Sequence, residues 1–343
     1  MTPVAAEKPL VVVDADVLGR RRTGDETYIR SLLEAMEREA ADLRLAAVTR
    51  RPELVPWGVE VLPVPARGQL VRLGARLPLL LRKIRPGLVH TLYAVPPACP
   101  CPAVVTVQDL TFELAPNLMR PHEALIFRRV VRAAVKSARK VLTCSERTRR
   151  DLLRVYGLPE SKVAVVPYGV DPVFAPGPAQ REGFALCVGA VERRKDPLAA
   201  LEAARGAGLD LVVAGPVRDL PLAVELQRRG ANVAGYIPRD ELARLYRRAD
   251  CLVFSSRFEG FGFPVLEAMA SGTPVACADE PALRETAGDA AVFATDGGLV
   301  GAVKQALADR DRLATAGIER ARRFTWRDAA LRTLAVYREV LGT

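Results

Sequence analysis

The stretch from residue 251 to residue 278, CLVFSSRFEGFGFPVLEAMASGTPVACA, constrains the fold more than any other part of the chain. Residues 251–255 are apolar or small and predict a buried parallel strand. A loop with two glycines follows, and Pro264 comes directly after it. Proline suits the first position of a helix, because its fixed φ is helical and its missing N–H has no partner there. We therefore expect a strand, a tight turn, and a helix that begins near Phe263 or Pro264.

Two carboxylates flank this turn. Glu259 lies in the loop, and Glu267 falls eight positions later, in what we expect to be the first helical turn. The free N–H groups of that turn, including those of Val265 and Leu266, can point at a bound anion, and the helix dipole reinforces them. A phosphate would fit between the two acids. Glu267 can then accept hydrogen bonds from a ribose diol, while Glu259 contacts the group that the phosphate carries.

The same stretch resembles the signature of family 4 of the retaining glycosyltransferases, in which one Glu is followed by seven residues and a second Glu inside EGFGFPVLEAMASGTPV. The resemblance implies an α/β protein of the GT-B fold, with two Rossmann-like doubly wound domains that face each other across a cleft. It also implies that this corner binds the donor through Glu267, Gly260, Phe261, Gly262, Phe263, Pro264 and Val265. The alternative is an ordinary helix start with incidental acids.

Chain length also favours two domains, because 343 residues exceed one ordinary hydrophobic core. The segment VPYGVDPVF resembles the family's pre-linker segment, and three prolines follow within it and just after it. We therefore predict an N-terminal acceptor-binding domain over 1–171 and a C-terminal nucleotide-sugar-binding domain over 172–325. By resemblance, a last helix over 326–343 crosses back onto the first domain.

Cysteine and histidine usage bears on compartment and metals. The six cysteines are scattered, and the close pair Cys99 and Cys101 has neither zinc-ligand nor redox-motif spacing, so we expect reduced thiols in a cytoplasmic protein. No run approaches the length of a membrane-spanning helix, and no signal peptide is expected. With two histidines in the chain, we expect no metal site.

Positive charge is concentrated in the first half: residues 1–171 hold 27 Lys and Arg against 18 Asp and Glu, whereas residues 172–343 hold 23 against 22. The pattern over 121–141 predicts an amphipathic helix with Val130 and Val131 inward and arginines outward. Such a face can be solvated, dock on an anionic membrane, or bind nucleic acid, and we rank nucleic acid last because no aromatic interleaving accompanies the arginines. Relatives with lipid-linked acceptors dock through this domain, which implies a peripheral location on the inner face of the membrane.

Two further segments of the second half match the family. In FALCVGAVERRKD, the pair Arg194 and Lys195 stands where relatives grip the donor pyrophosphate, although such a basic pair is also typical of a solvated surface. In GYIPRDELARLY, the backbone around Ile237 stands where relatives hold the nucleotide base. Glu285 matches a frequent family Glu, with a structural role as an equal alternative.

The first half matches the family only partly. Gly24 lies between the strand LVVVD and a helix expected from about Asp25, where a phosphate can approach the backbone. Relatives commonly have a second glycine where this chain has Glu26, and the acidic pair Asp25 and Glu26 is unexpected beside a pyrophosphate. A plain helix cap is the equal alternative. Gln108 stands where relatives have a histidine, and it can hydrogen-bond a sugar hydroxyl only as a neutral group. His90 is interpreted as a structural histidine.

The resemblance implies a metal-independent retaining glycosyltransferase that moves a hexose, mannose or glucose, from a nucleotide-diphosphate sugar to a saccharide or lipid-linked acceptor. Arg194 and Lys195 would stabilise the departing phosphate and Glu259 would orient the sugar, so these three residues are the catalytic candidates. The alternative is a membrane-associated module that binds sugar nucleotides without transfer, which Gln108 and the pair Asp25 and Glu26 motivate.

Overall fold

The first sheet is built from short strands, of which the central ones are apolar and buried on both faces while the edge strand at Glu60–Pro63 is largely exposed. The computed structural model describes residues 8–20, 23–66, 68–178, 180–295 and 297–343. Within these ranges the first sheet is parallel throughout and has the order β3-β2-β1-β4-β5-β6-β7. Its strands are β1 (Leu10–Asp14), β2 (Arg44–Thr49), β3 (Glu60–Pro63), β4 (Leu88–Leu92), β5 (Ala103–Thr106), β6 (Lys140–Thr143) and β7 (Val163–Val165).

Helices connect these strands and cover both faces of the sheet. They are α1 (Thr23–Glu39), α2 (Gln69–Val71), α3 (Leu77–Ile84), α4 (Thr111–Leu114), α5 (Pro121–Ser137) and α6 (Glu146–Tyr156). A π-helical turn, Arg72–Arg76, joins α2 to α3, so the two helices follow one another with a wider turn between them. Short 3₁₀ turns lie at Pro52–Leu54, Pro116–Leu118 and Glu160–Lys162.

The second sheet repeats this design with its own core. It is also parallel, in the order β10-β9-β8-β11-β12-β13. Its strands are β8 (Phe184–Val188), β9 (Asp210–Ala214), β10 (Asn232–Gly235), β11 (Cys251–Phe254), β12 (Val275–Cys277) and β13 (Val292–Phe293). Its helices are α7 (Pro197–Gly206), α8 (Leu220–Arg228), α9 (Arg239–Arg248), α10 (Phe263–Ala270), α11 (Pro281–Ala287), α12 (Gly298–Ala308) and α13 (Arg310–Ala321), with 3₁₀ turns at Arg193–Lys195 and Gly288–Ala290.

Both sheets reverse their strand order once, and these reversals locate the ligand-binding edges. In the first sheet the reversal falls between β1 and β4, and in the second it falls between β8 and β11. Doubly wound sheets bind ligands outside the carboxyl ends of the strands at such a switch point. The topology therefore predicts a ligand-binding site at the segments that follow β8 and β11.

The last helix, α14 (Trp326–Leu341), packs against α1 of the first half. Its Arg338 donates to the carboxylate of Asp42 at 2.7 and 2.8 Å. Deeper in this contact, Tyr337 hydrogen-bonds Nδ1 of the buried His90, and Nε2 of His90 bonds Thr106 at 2.7 Å. The interpretation of His90 as a structural residue is thus confirmed. Burial lowers its pKa to about 3, so the ring is neutral.

An aromatic cluster lies where the two halves and the start of α14 meet. Tyr168 stacks on Phe263 with ring centroids 5.2 Å apart and on Trp326 at 6.0 Å. Tyr28 from α1 and Phe261 join the same cluster. Because the contributing segments are far apart in sequence, only the folded chain brings these rings together.

Two sequence predictions about helix boundaries need correction. The helix expected from about Asp25 begins at Thr23, so Gly24 lies inside α1 and not between strand and helix. The helix expected over 121–141 ends at Ser137, because the chain turns at Ala138 and then enters β6 at Lys140. In the same helix Val130 is 39% exposed, so the prediction that it points inward is wrong, whereas Val131 is fully buried as expected.

The predicted boundary between 171 and 172 lies in the connection between β7 and β8, near Gly169. A Cβ atom added to Gly169 would lie 2.1 Å from the amide nitrogen of Trp326. We predict that Gly169→Ala destabilises the protein by at least about 2 kcal/mol, because backbone and not a flexible side chain must move. Urea unfolding monitored by circular dichroism measures this difference.

Gly301→Ala is the matched control. Gly301 lies within α12, and a Cβ atom there meets nothing within 4 Å. This substitution should leave stability unchanged or raise it by about 0.5–1 kcal/mol. Equal unfolding midpoints for the two variants would contradict the close packing of residue 169 against the start of α14.

Candidate active site

Two loops meet at the switch point of the second sheet. The segment after β8 forms the 3₁₀ turn Arg193–Lys195, and the segment after β11 runs alongside it. The amide of Arg257 donates to the carbonyl of Arg194 at 2.9 Å, and Ser255 Oγ donates to the carbonyl of Lys195 at 2.9 Å. These bonds bring the basic pair Arg194 and Lys195 next to the loop that carries Glu259, as the sequence predicts.

Glu259 lies between the two cations. Lys195 Nζ forms a direct ion pair with Glu259 Oε1, and Arg194 Nη1 lies 3.6 Å from the same oxygen. Glu259 is only 7% exposed, so the pair is shielded from bulk water. Arg194 also donates from Nη1 to the carbonyl of Phe258 at 3.0 Å, and from Nε to Glu192 at 3.3 Å. The guanidinium is therefore fixed in place.

The charges in this cluster stabilise one another. Burial alone would raise the pKa of Glu259, but the facing Lys195 and Arg194 outweigh burial and hold its pKa below the usual range. Burial opposes the charge on Arg194, but Glu259, Asp109 and Glu192 raise its pKa above the ordinary value. Burial lowers the pKa of the Lys195 ammonium against the attraction of Glu259. Glu259 is accordingly an anion at neutral pH.

Helix α10 begins at Phe263, with Pro264 in its first turn, which confirms the predicted helix start. Gly262 precedes it with φ of +99°, a conformation that favours glycine. The amides of Val265 and Leu266 both donate to the carbonyl of Gly262, at 3.0 and 3.3 Å, so the expectation that they are free for an anion is wrong. Both amides are used within the tight first turn of the helix.

The free amides lie one step earlier in the chain. Within the described ranges, no acceptor is found for the backbone N–H groups of Gly260, Phe261, Gly262 and Phe263. Successive unpaired amides ahead of a helix form a concavity that suits an anion. The corner therefore has unpaired amides, as the sequence led us to expect, but they belong to residues 260–263 and not to Val265 and Leu266.

Glu267 lies in the second turn of α10 and not in the first as expected. Its Oε2 accepts a hydrogen bond of 2.9 Å from Tyr246 Oη, a residue of α9. Burial raises the pKa of Glu267 to about 7, against the smaller effects of Tyr246 and Arg239. Glu259 comes directly before the amide-rich corner in the chain and pairs with Lys195, whereas Glu267 follows the corner and is held by Tyr246.

The first half approaches this corner closely. A Cβ atom on Gly260 would lie 1.9 Å from the carbonyl oxygen of Gln108, so only glycine fits there. A Cβ atom on Gly24 would lie 3.8 Å from Gln108 Oε1 and 4.0 Å from the ring of Phe263. Gln108 Nε2 is buried without a hydrogen-bond partner in the described part of the chain. Gly24 and Gln108 thus belong to the same site as Gly260 and Phe263.

Of the acidic pair Asp25 and Glu26, Glu26 finds its partners within its own segment of the chain. Glu26 Oε1 accepts a 2.9 Å bond from the amide of Gly19 and lies 3.5 Å from Arg30. The carboxylate therefore closes its own β1–α1 loop.

Ile237 lies at a different position from the amide-rich corner. It is partly buried and lines a cavity of about 310 Å³ with residues of α9. A second cavity, of about 420 Å³, lies between the halves beside Phe261 and the start of α6. Arg194, Lys195, Glu259 and Glu267 line neither, so neither cavity is the centre of the site described above.

Three contributing residues carry no recognisable sequence signal. Tyr246 holds Glu267, while Arg147 and Cys144 donate to the carbonyls of Glu259 and Gly260. Each of these contacts joins residues at least 21 positions apart, so no local spacing announces them. Glu285, for which structural and functional roles were equal alternatives, accepts bonds from the amides of Glu146 and Arg147 across the halves.

The described part of the chain contains neither a metal-ligand cluster nor a membrane-spanning helix. No group of three or more His, Cys, Asp or Glu side chains there is placed to hold a metal ion. No helix in this part of the chain is long and apolar enough to cross a membrane.

Family models and sequence relatives agree with this architecture. A model described as Glycosyltransferase Family 4 matches residues 22–174, and one described as Glycosyl transferases group 1 matches residues 173–324. The chain is 27% identical to the O-antigen chain mannosyltransferase B of Escherichia coli, over 69% of this chain and 70% of the relative. It is 30% identical to the D-inositol 3-phosphate glycosyltransferase of Kineococcus radiotolerans, over 60% of this chain and 58% of that protein's own length.

Solved structures show the same fold at low sequence identity. Sucrose-phosphate synthase from Thermosynechococcus elongatus superposes with a TM-score of 0.79 at 20% identity, covering 98% of this chain and all of that one. The HepE protein of Anabaena, solved in complex with UDP-glucose, superposes with a TM-score of 0.73 at 14% identity, covering 96% of this chain and 99% of the other. Since two family models in tandem span residues 22–324, the chain belongs to glycosyltransferase family 4 and has the GT-B fold.

Proposed function

We propose that this glycosyltransferase moves a hexose from a nucleotide-diphosphate sugar to a saccharide or lipid-linked acceptor, with retention of anomeric configuration. The observation that carries the proposal is the convergence of Arg194, Lys195 and the free amides of 260–263 around Glu259. The acceptor is assigned to the domain over 1–171 and the donor to the domain over 172–325.

The cations and amides would stabilise the departing diphosphate. When the bond to the anomeric carbon breaks, negative charge develops on the phosphate oxygen. Preorganised donors in a shielded site stabilise such charge without reorganisation, and each is typically worth about 2.7–4 kcal/mol. Arg194 and Lys195 supply two positive charges in this scheme, so we propose that transfer needs no metal ion.

Glu259 would orient the sugar and stabilise positive charge at the anomeric carbon. Its anionic state is favoured by both facing cations, which suits an electrostatic role. Under retention, the acceptor attacks from the face that the phosphate leaves, and a phosphate oxygen helps to take the acceptor's proton. Glu259 then needs no covalent bond to the sugar.

The rest of the donor would occupy the second domain. Glu267 is proposed to accept hydrogen bonds from the ribose diol, and the backbone at Ile237 to lie against the base. Gln108 and Gly24, from the first domain, would contact the sugar or the phosphate across the corner. The similarity to an O-antigen mannosyltransferase and the fold shared with a UDP-glucose-bound protein support mannose or glucose as the transferred sugar.

We predict that Arg194→Ala and Glu259→Ala each lower kcat about 10²–10³-fold, because each removes charge that acts on the reacting bond. Initial rates of transfer from GDP-mannose and UDP-glucose to a panel of saccharide and lipid-linked acceptors measure the effect. Arg193→Ala is the matched control. Arg193 is the neighbouring residue with a side chain 81% exposed, so its loss should change kcat less than about twofold.

Unchanged turnover in the Arg194 and Glu259 variants would contradict this assignment of the site. The competing function, a module that binds sugar nucleotides without transferring them, predicts a different result. Wild-type protein would then be stabilised against heat by a nucleotide sugar, yet form no product with any acceptor.

A pH dependence follows from the Glu267 carboxyl. Its pKa of about 7 means that the free protein is largely protonated there below that pH, and a protonated acid accepts ribose hydroxyls less well. We predict that donor affinity falls as pH decreases through 7, by at most about tenfold for each pH unit below the pKa, until it reaches the affinity of the protonated form. Calorimetry with an intact nucleotide-diphosphate sugar, whose phosphates are fully ionised in this range, measures the trend.

Glu267→Gln provides the control for this prediction. The amide cannot ionise, so the variant should bind the donor more weakly and with little change between pH 6 and pH 8. A variant with the same pH dependence as wild type would show that another group is responsible.

We further propose that the protein is cytoplasmic and docks on the inner face of an anionic membrane through α5. The exposed side of this helix presents Leu125, Ile126 and Val130 beside Arg129 and Lys136. Apolar residues flanked by basic ones are typical of helices that lie in the membrane interface. The exposure of Val130, which the sequence did not predict, widens the apolar part of this face.

Sedimentation with vesicles rich in phosphatidylserine tests this docking. Wild-type protein should bind at low ionic strength and be released by salt, since each basic residue near the surface contributes about 1 kcal/mol. Arg129→Glu combined with Lys136→Glu should abolish binding. Arg322→Glu combined with Arg323→Glu, an equal charge change on exposed residues beyond α13, should not. Equal loss in both pairs would indicate non-specific charge attraction.

A further inference from the structure

The loop that carries Glu259 is fixed through its carbonyl groups. Three successive carbonyls each meet a side-chain donor: Phe258 accepts from Arg194 at 3.0 Å and Glu259 from Arg147 at 2.8 Å, while the Cys144 thiol lies 3.2 Å from the Gly260 carbonyl and shares its one proton with the Gln108 carbonyl at the same distance. Two of these three donors, Arg147 and Cys144, come from the first half of the chain. The conformation of the loop therefore depends on contact between the halves.

Arg147 makes the most extensive of these contacts. Its guanidinium carbon lies 4.0 Å from the centre of the Phe258 ring. Nη1 lies 2.8 Å from Glu280 Oε1 and Nε lies 2.7 Å from Asp151 Oδ2. Neither of those two carboxylate oxygens meets the geometry of a hydrogen bond, so the aligned acceptor of this guanidinium is the carbonyl of Glu259.

The position of Arg147 is itself fixed from the second half. Glu285, at the end of α11, accepts bonds of 2.8 and 2.7 Å from the amides of Glu146 and Arg147 at the start of α6. Glu280, just before α11, faces the guanidinium and also accepts from the amides of Ala282 and Leu283. The arginine is thus held at both its backbone and its side chain, and it is 15% exposed.

We propose that Arg147 is a positioning residue for transfer: it fixes the backbone at Phe258 and Glu259 and thereby aims the Glu259 carboxylate into the site. The inference rests on the proposed function, in which Glu259 acts on the sugar. Arg147 belongs to the domain proposed to bind the acceptor. It would complete the site in the domain proposed to bind the donor. Lys195 and Arg194 hold the carboxylate from the second half, and Arg147 fixes the backbone that carries it from the first half.

A specific kinetic signature follows. Most groups proposed to bind the donor belong to the second half, namely Arg194, Lys195, Glu267 and the amides of 260–263. Arg147 contacts one of their peptide groups, because the Glu259 carbonyl that it binds shares a peptide with the Gly260 amide. Loss of Arg147 should therefore reduce turnover more than donor binding, because it disturbs the aim of Glu259 and leaves Arg194, Lys195 and Glu267 in place.

The experiment compares Arg147→Met with Arg150→Met at a temperature well below both unfolding midpoints. Methionine keeps an apolar chain over Phe258 and removes every donor. Arg150 lies on the same helix, its side chain is 70% exposed, and its acceptors are Glu285 and the carbonyl of Glu146. We expect kcat to fall at least about tenfold in Arg147→Met with KM for the donor within about threefold, and both constants to be unchanged in Arg150→Met.

Two further variants separate positioning from folding. Arg147→Lys keeps one charged donor near the Glu259 carbonyl and should recover part of kcat. Arg147→Met combined with Glu280→Gln avoids leaving a buried unpaired carboxylate, so it should fold even if the single variant does not, and it should keep the low kcat. An unchanged kcat in the double variant, or a decrease fully explained by loss of folded protein, overturns the inference.

A readout without substrate distinguishes this inference from the proposed function. Hydrogen exchange of the amides of Arg257, Val265 and Leu266, which are hydrogen-bonded at the two ends of the loop, should be faster in Arg147→Met than in Arg150→Met, since the loop loses one of its three carbonyl contacts. If wild-type protein transfers no sugar but this difference is found, the proposed function fails and the loop-positioning role of Arg147 stands. If transfer is found and exchange and kcat are both unchanged, the inference alone fails.

Discussion

The corner from residue 258 to residue 263 can receive an anion because its carbonyls and its amides are used for different purposes. The carbonyls of Phe258, Glu259 and Gly260 are bound by side chains, which fixes the backbone. The amides that follow have no acceptor in the described part of the chain and precede the positive end of α10. Close approach to the Gln108 carbonyl then requires glycine at 260. Each fixed carbonyl shares a planar peptide group with the next amide, so the bonds to the carbonyls of Glu259 and Gly260 also orient the amides of Gly260 and Phe261.

This corner depends on how the two halves are joined. Phe261 and Phe263 pack into the aromatic cluster with Tyr168 and Trp326, so the loop is tied to both the connection and the start of α14. Helix α14 is in turn attached to the first sheet through Tyr337 and His90. The loop over residues 258–263 therefore cannot move without disturbing contacts that also bind the two halves together. Arg147 and Glu285 add polar contacts across the same junction.

Much of the second sheet and the start of α10 was predictable, because both are recorded locally in the sequence. An apolar run followed by glycines and Pro264 specifies strand, turn and helix by short-range geometry alone. The proximity of Glu259 to Arg194 and Lys195 was predictable because both segments follow strands of the same parallel sheet. The sequence did not predict which amides of the first turn are unpaired, because a tight turn lets the amides of both Val265 and Leu266 donate to the carbonyl of Gly262. The end of α5 was missed since apolar periodicity continues through Val141 into β6.

The two departures of the first half from the family pattern have different physical meanings. Glu26 turns its carboxylate to the amide of Gly19, so its charge stabilises a loop and need not face a phosphate. Gln108 is different, because its Nε2 is buried, unpaired in the described ranges, and close to Gly24 and the corner. A buried amide without a partner costs about 1–3 kcal/mol, so a ligand hydroxyl that accepts from it recovers that free energy on binding. The amide at 108 thus offers a neutral donor beside the corner, which suits a hydroxyl acceptor without adding charge to the site.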